Sequence, residues 1–454
     1  MLGAIFERFA AKSPVSVMVQ GAIDFALNAS LLDALFARHA DRQYTRSLFF
    51  STTVDLLTQV VCGCKKSLHA AYQACEESLP VSLTSVYNKL HGVEPAVCRE
   101  LVRHSARQLE PIVTHLGGTL ADWVPGYQVR LLDGNHLAAS EHRLELTRDF
   151  SAAPLPGFVL AILDPKVMLV RDVFVCEDAH AQERSLLGDV LDTVLPRELY
   201  LADRNFCCKG FLLGLMKRGA FFAIREHANL NWQPAGKLRS RGRVEGGRVR
   251  EQRVAILDEE GKPVYLRRVV LELDEATRDG ETVVVVLCNL PEEDCDARGV
   301  ARLYRKRWTI EGAFQELATA LNSEIATLCY PRAALFAFCV GLLAYNVLGV
   351  VKGALRAEHG EKAVEEVSSY YLADEIGGTR RGMMIAIPEG EWGVFQVMKA
   401  EEFAEVMRGL AKRVRLAAFR RHRRGPKKPT AKRIHDPKRP HISTAHLLQE
   451  SAKW

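Results

Sequence analysis

Apolar residues return at three- and four-residue intervals through the first 120 positions, most regularly in Ile23–Leu35, Ser51–Val61 and Ala96–His115. That periodicity predicts helices that each bury one face, and so an all-helical N-terminal region. Inside it, Pro80–Leu90 opens on Ser82 and Thr84 and continues with small polar and basic side chains. The segment reads either as a capped surface helix or as the recognition helix of a helix-turn-helix unit.

From Gly126 the spacing shortens to that of strands. Tyr127–Leu132 runs into Asp133-Gly134-Asn135-His136, and Gly157–Leu163 and Val167–Val175 are divided by the turn Asp164-Pro165-Lys166. Together they predict a three-stranded antiparallel meander. Glu183–Val194 reads as a helix stopped before Pro196, Glu198–Ala202 as a short buried strand ending in Asp203, Cys207–Lys217 as a helix and Phe221–Arg225 as a strand. The order β-β-β-α-β-α places acids at the C-terminal ends of the first and fourth strands. If those two strands are neighbours, the carboxylates share one place, as in a ribonuclease-H-like core.

Residues 227–292 interrupt this order. Arg239–Arg253 is rich in Arg and Gly, and the strand-like runs Val254–Leu257, Val264–Leu273 and Glu281–Cys288 follow, the first two joined by the turn Asp258–Lys262. A long helix is then predicted from Ala297 to Leu321. It carries Tyr304, Arg307 and Glu311, which at 100° per residue fall within about 60° of one another. One helical face would present a phenol, a guanidinium and a carboxylate, a set suited to a phosphate and a metal ion held together. Trp308, turned away from that face, is read as core. Glu391–Arg415 forms a further amphipathic stretch with Trp392, Phe395, Phe403, Met407 and Leu410 on its apolar side. It is read as packing on the protein's own core.

Composition narrows the class. With 48% apolar and 26% charged residues, the 454-residue chain is ordinary for a globular protein of several domains. Its 11 cysteines show no repeated framework, which fits free thiols in a reducing compartment better than disulfides or a zinc site. Glu7, Arg8 and Lys12 among the first residues argue against a signal peptide. The apolar run Leu335–Val351, 17 residues including Asn346, stops short of a membrane span and reads as a buried core helix. A soluble, cytoplasmic protein without a membrane partner is expected. The net charge of +6 is unevenly placed: Lys412–Arg439 has 13 Lys and Arg against Asp436 alone, which leaves −6 elsewhere. Its run Arg420–Pro429 reads as a solubilising tail, disordered when free, or as a contact to nucleic-acid phosphates.

Asp133 in Leu-Leu-Asp-Gly-Asn, Asp203 in Leu-Ala-Asp-Arg-Asn-Phe, and Tyr304-x-x-Arg307-x-x-x-Glu311 together resemble the DDE transposases of bacterial insertion sequences, in particular the insertion-sequence-four group. The resemblance spans roughly residues 125–350, with separations of 70 and 108 residues between successive acids. The second is long because of the β-rich insertion. The group's signature carries a lysine seven residues after the glutamate, where this chain has Ala318, and Gln315 on the same face supplies no charge.

The resemblance implies an α/β multidomain chain. A helical N-terminal domain (1–120) that binds DNA would precede a ribonuclease-H-like core in two parts (121–226 and 293–355). A β-rich insertion (227–292) would divide that core, and a helical C-terminal region (356–411) and a basic tail (412–454) would follow it. It also implies that Asp133, Asp203 and Glu311 hold two Mg2+ ions, for which Mn2+ can substitute. Tyr304 and Arg307 would contact phosphate near the element end. The implied reaction is phosphodiester cleavage at the terminal inverted repeats followed by joining of the 3′-hydroxyl to target DNA, by a homodimer on double-stranded DNA in the bacterial nucleoid. A transposase-derived DNA-binding protein that no longer cuts and another ribonuclease-H-like nuclease are the alternatives. Around the acids, Arg204 and Asn205 read as DNA contacts or as groups orienting Asp203. Asn135 and His136 read as structural residues or as groups ordering water or DNA. In the insertion, Trp232 reads as packed or base-stacking, and Arg239–Arg243 as a DNA channel or a mobile loop.

Overall fold

The computed structural model describes residues 3–43, 45–277, 280–422 and 441–452. The architecture is mixed α/β. Strands β1 (Gln128–His136), β2 (Pro154–Leu155), β3 (Phe158–Asp164), β4 (Leu169–Cys176), β5 (Glu198–Ala202) and β6 (Phe221–Arg225) come first. Five of them stand in the order β4-β3-β1-β5-β6. β3 is antiparallel to both β4 and β1, whereas β1, β5 and β6 are parallel. The central strands are buried on both faces, so they appear in the sequence as continuous apolar runs.

The insertion does not form a sheet of its own. Its strands β7 (Gln233–Pro234), β8 (Arg239–Val244), β9 (Gly247–Leu257), β10 (Pro263–Leu273) and β11 (Val283–Cys288) extend the first five, giving one ten-stranded sheet among the described residues. β11 lies antiparallel on β6, with Leu287 opposite Ile224, and so covers an edge that would otherwise be unpaired. The expected hairpin is present: Leu257 pairs with Pro263, and Asp258 accepts from the N–H groups of Glu260 and Lys262. The Arg/Gly-rich stretch, however, is strand and not loop. β8 pairs with β9 around Gly246, whose φ of 81° suits glycine.

Alternate residues divide the sheet between two apolar cores. Leu132, Tyr200, Ala202 and Phe222 face a smaller one with Leu187, Val190 and Phe211. Leu131, Leu199, Leu201 and Ala223 face the larger, which continues without a break into the N-terminal helices, Pro331–His359 and the helices after it. The N-terminal and C-terminal helical regions therefore share one core. Phe6 packs edge-on against Trp392 at 5.0 Å, and Phe25 stacks on Phe403 at 4.8 Å. Expected as one helix, Glu391–Arg415 is two, Glu389–Gln396 and Ala400–Ala411, both packed inward.

The basic region is not a free tail through to the end of the chain. Arg420 pairs with Glu366, and the Arg421 N–H donates to the Glu366 carbonyl. Beyond residues 423–440, which hold Arg423 to Arg439 and lie outside the described residues, the chain is docked again. β12 (Ile442–Ser443) runs parallel to β2, and the helix Thr444–Ser451 follows it.

Pro331–His359 is long and apolar enough to cross a membrane, but its apolar stretch is buried inside the protein. Asn346, fully buried in that helix, serves the outer edge of β4. Its Oδ1 accepts from the Val170 N–H at 2.8 Å, and its Nδ2 donates to the Val170 carbonyl and to Ser105 Oγ, each at 2.9 Å. One amide thus replaces the missing neighbour strand. Asn346→Leu should leave both Val170 groups unpaired in the core and lower unfolding stability by about 2–4 kcal/mol, measured by chemical denaturation. Stability equal to wild type would show that this amide pair is dispensable.

Candidate active site

The parallel ladder of β1 and β5 ends with Leu132 opposite Ala202, so Asp133 and Asp203 come next, side by side on strands about 4.8 Å apart. By alternation both point to the same face as Leu131 and Leu201, toward the larger core. The acids leave the ladder differently. β1 continues through Asp133 to His136 on its other neighbour, β3, with Asp133 opposite Ala161. β5 stops, and Asp203 caps a short 3-10 turn, Arg204–Phe206, its Oδ1 accepting from the Arg204 N–H at 2.6 Å. Asp133 Oδ1 likewise accepts from the Gly134 N–H at 3.0 Å.

Glu311 arrives over this pair from the expected helix, which is not continuous. It consists of Ala297–Arg305, a 3-10 turn over Lys306–Trp308, and Thr309–Ala320. A 3-10 turn advances about 120° per residue instead of 100°, so the angles of a single helical wheel do not carry across it. Tyr304 and Arg307 still turn inward and are buried. Trp308, expected in the core, is 52% exposed.

Arg307 is the hub. Its Nη1 donates to Asp133 Oδ2 at 3.0 Å and its Nη2 to Glu311 Oε1 at 2.7 Å. The guanidinium side chain is 9% exposed, whereas that of Glu311 is 50% exposed. Burial works against the Arg307 cation, but Tyr304, Asp133, Asp203 and Glu311 around it outweigh that cost and raise its pKa. Burial pushes the Tyr304 phenol well up, with Arg307 opposing. Asp133 rises to about 6: burial raises it most, Arg307 and the Gly134 N–H pull it down, and Glu311 and Asp203 add to the rise. The oxygen-only donor set suits a hard dication such as Mg2+. Asp133 Oδ2 and Glu311 Oε1 already converge on one positive charge, the guanidinium, so these two acids suit a cation in kind and in direction, and Asp203 adds its charge beside them.

The neighbouring residues are tied to acids that sequence reading missed. Exposed Arg204 donates through Nη1 to Glu281 Oε1 at 3.3 Å, and Arg225 donates to the same oxygen at 2.6 Å. Asn205 Nδ2 is 3.4 Å from Glu183 Oε2, its carbonyl accepts from Arg184, and Glu183 Oε1 lies 4.0 Å from His136 Nδ1. Glu183 sits against Gly134, where a Cβ would come within 2.0 Å of Oε1. By strand alternation Gly134 faces away from Asp133, so Glu183 borders the three acids from the opposite face. A glycine directly after Asp133 was the one sequence signal for it. In the insertion, Trp232 is partly buried under the Arg268 guanidinium, 4.9 Å from the ring centroid. Ala318 and Gln315 are both exposed on the helix after Glu311.

Residues 125–347 match the family model described as a transposase DDE domain, and Asp133, Asp203, Tyr304, Arg307 and Glu311 all lie inside the matched residues. No curated protein matches the chain. Among solved structures it is similar to a piggyBac transposase synaptic complex with hairpin DNA, at 10% sequence identity and a TM-score of 0.34 over 98% of this chain and 86% of that one.

The charge on Asp133 has a measurable cost. Its folded pKa of about 6 lies above the unfolded value near 3.9. The folded state therefore binds more protons between those values, and stability falls as pH rises from about 4 through about 6. Asp133→Asn should remove that slope and stabilise the metal-free protein at pH 7.5 by roughly 1–3 kcal/mol. Denaturant titrations in chelator at pH 5 and 7.5 check it, and equal pH slopes in the two proteins would count against this placement of Asp133.

Proposed function

We propose that this chain, whose residues 125–347 carry the match to a transposase DDE domain, is a DNA transposase. It would cleave phosphodiesters at the ends of an insertion element and join the freed 3′-hydroxyl to target DNA, by cut and paste, as a dimer with one protomer per element end. The observation that carries this reading is the convergence of Asp133 and Glu311 on one guanidinium beside Asp203. The strand order and directions of β4-β3-β1-β5-β6 fit a ribonuclease-H-like core.

Asp133, Asp203 and Glu311 would hold two Mg2+ ions. Such ions activate the attacking water or hydroxyl and neutralise the departing oxyanion in an in-line displacement. The chain supplies the rest. β1 and β5 fix two of the acids on a shared ladder, and the 3-10 turn brings Glu311 above them. Arg307, planar and always charged, is suited to hold a phosphate once a dication takes over its carboxylates. Tyr304, kept protonated by its burial, is a hydrogen-bond donor. Arg204 and Asn205, at the exposed rim, would meet the DNA backbone, Arg204 exchanging Glu281 for a phosphate. In place of the group's lysine, Ala318 offers no charge, so these residues would carry more of the grip on DNA.

Purified protein with Mg2+ and labelled terminal-repeat DNA should give cleavage and strand-transfer products. Glu311→Gln and Asp203→Asn should each lower the rate at least about 100-fold while leaving DNA binding in place. Equal cleavage by wild type and Glu311→Gln would remove Glu311 from the chemistry. Binding by the wild type without any Mg2+-dependent product would favour a DNA-binding derivative that no longer cuts.

A further inference from the structure

A second group of ligating side chains lies away from the three acids. Asp178 stands two residues past β4. Because β4 runs in the same direction as β1, Asp178 leaves the sheet on the side where β1 ends at His136. Its Oδ1 accepts from Ser443 Oγ and from the His180 N–H, each at 2.9 Å, and its Oδ2 accepts from His446 Nε2 at 2.9 Å. The His180 and His446 rings stand nearly perpendicular, 5.8 Å apart. Asp178, His180 and His446 each offer a ligand atom within 4.8 Å of the others.

His180 adds an independent indication. Its Nε2 is 3.0 Å from the His441 carbonyl oxygen, a partner that takes the N–H of that nitrogen and leaves Nδ1 with a free lone pair. A metal-ligating imidazole is characteristically set in this way, with its second nitrogen donating to a backbone carbonyl or carboxylate. Glu177, next to Asp178 in the chain, is engaged by Arg332 at 2.8 Å, so the cluster is one carboxylate and two imidazoles.

We propose that Asp178, His180 and His446 form a site for a borderline transition-metal dication of the Zn2+ class, which fastens residues 441–452 to the end of β4. Two imidazole nitrogens and one carboxylate suit Zn2+ and leave one tetrahedral position for water, whereas Mg2+ prefers oxygen. The site is thereby chemically separate from the all-oxygen set at Asp133, Asp203 and Glu311. Ligation would exchange the His446 Nε2–H···Asp178 bond for bonds to the ion, with the ring proton carried on Nδ1. The basic stretch is anchored before residue 423 by Arg420 and Arg421 on Glu366 and Val367, and the ion would lock its second anchor.

The test uses the full-length protein stripped of metal and titrated with Zn2+ by equilibrium dialysis in excess Mg2+. Wild type and Glu311→Gln should each bind one Zn2+, while His446→Ala and His180→Ala should weaken binding by roughly 100-fold or more. Thermal melts of the metal-free variants, matching wild type, would show that both substitutions leave the fold intact. Zn2+ should also slow proteolysis within residues 441–452 in wild type and not in the histidine variants. Wild-type affinity in both histidine variants, Zn2+ lost on Glu311→Gln instead, or no Zn2+ bound at all would each overturn the proposal. These outcomes are independent of whether the protein cuts DNA.

Discussion

Asp133 and Glu311 reach toward one buried place with Asp203 beside them, and like charges so placed repel one another. Arg307 is what makes the convergence tolerable. Its fork reaches Asp133 from one nitrogen and Glu311 from another, and its own charge is sustained by the acids and the phenol around it. The helix break at Lys306–Trp308 and the burial of Tyr304 accompany that guanidinium at the end of the β1–β5 ladder, and its charge pulls down an Asp133 pKa that burial raises. A dication entering the same place would compete with a cation already bonded, and would release Arg307 from its carboxylates.

Much of this was legible in the residues. Glu198–Ala202 and Phe221–Arg225 are continuous apolar runs because both faces of those strands are covered, and their observed bounds match the sequence reading. Asp133-Gly134-Asn135-His136 looks like a turn, yet it is strand, because β3 continues to pair with it where β5 does not. β8 could not be found by periodicity, since nearly all of its residues are exposed and no apolar alternation marks it. The 3-10 turn escaped for a different reason: a short change of pitch within a long helical pattern hardly alters the spacing of apolar residues, but it redirects Trp308 to solvent. Glu183 and Glu281 are distant in sequence from what they touch, and only the fold brings them to Asn205 and Arg204.

The helical body shows the same limit. Segments from both ends of the chain interlock through Phe6, Trp392, Phe25 and Phe403, and amphipathic patterns reveal that such faces need partners without saying which. Likewise a two-residue strand, Ile442–Ser443, sets where the chain returns after the basic stretch. No local pattern announces a contact that short.

The shared sheet has a mechanical consequence. An inserted domain on flexible linkers could swing and leave the strands that carry the acids undisturbed. Here β11 is hydrogen-bonded to β6, β6 to β5 and β5 to β1, so the insertion and the acids belong to a single elastic plate. A load on the arginine-rich far edge, such as a bound duplex would impose, has to pass through that plate as twist. The far edge is thus tied to the strands that carry Asp133 and Asp203 by an unbroken series of hydrogen-bonded ladders.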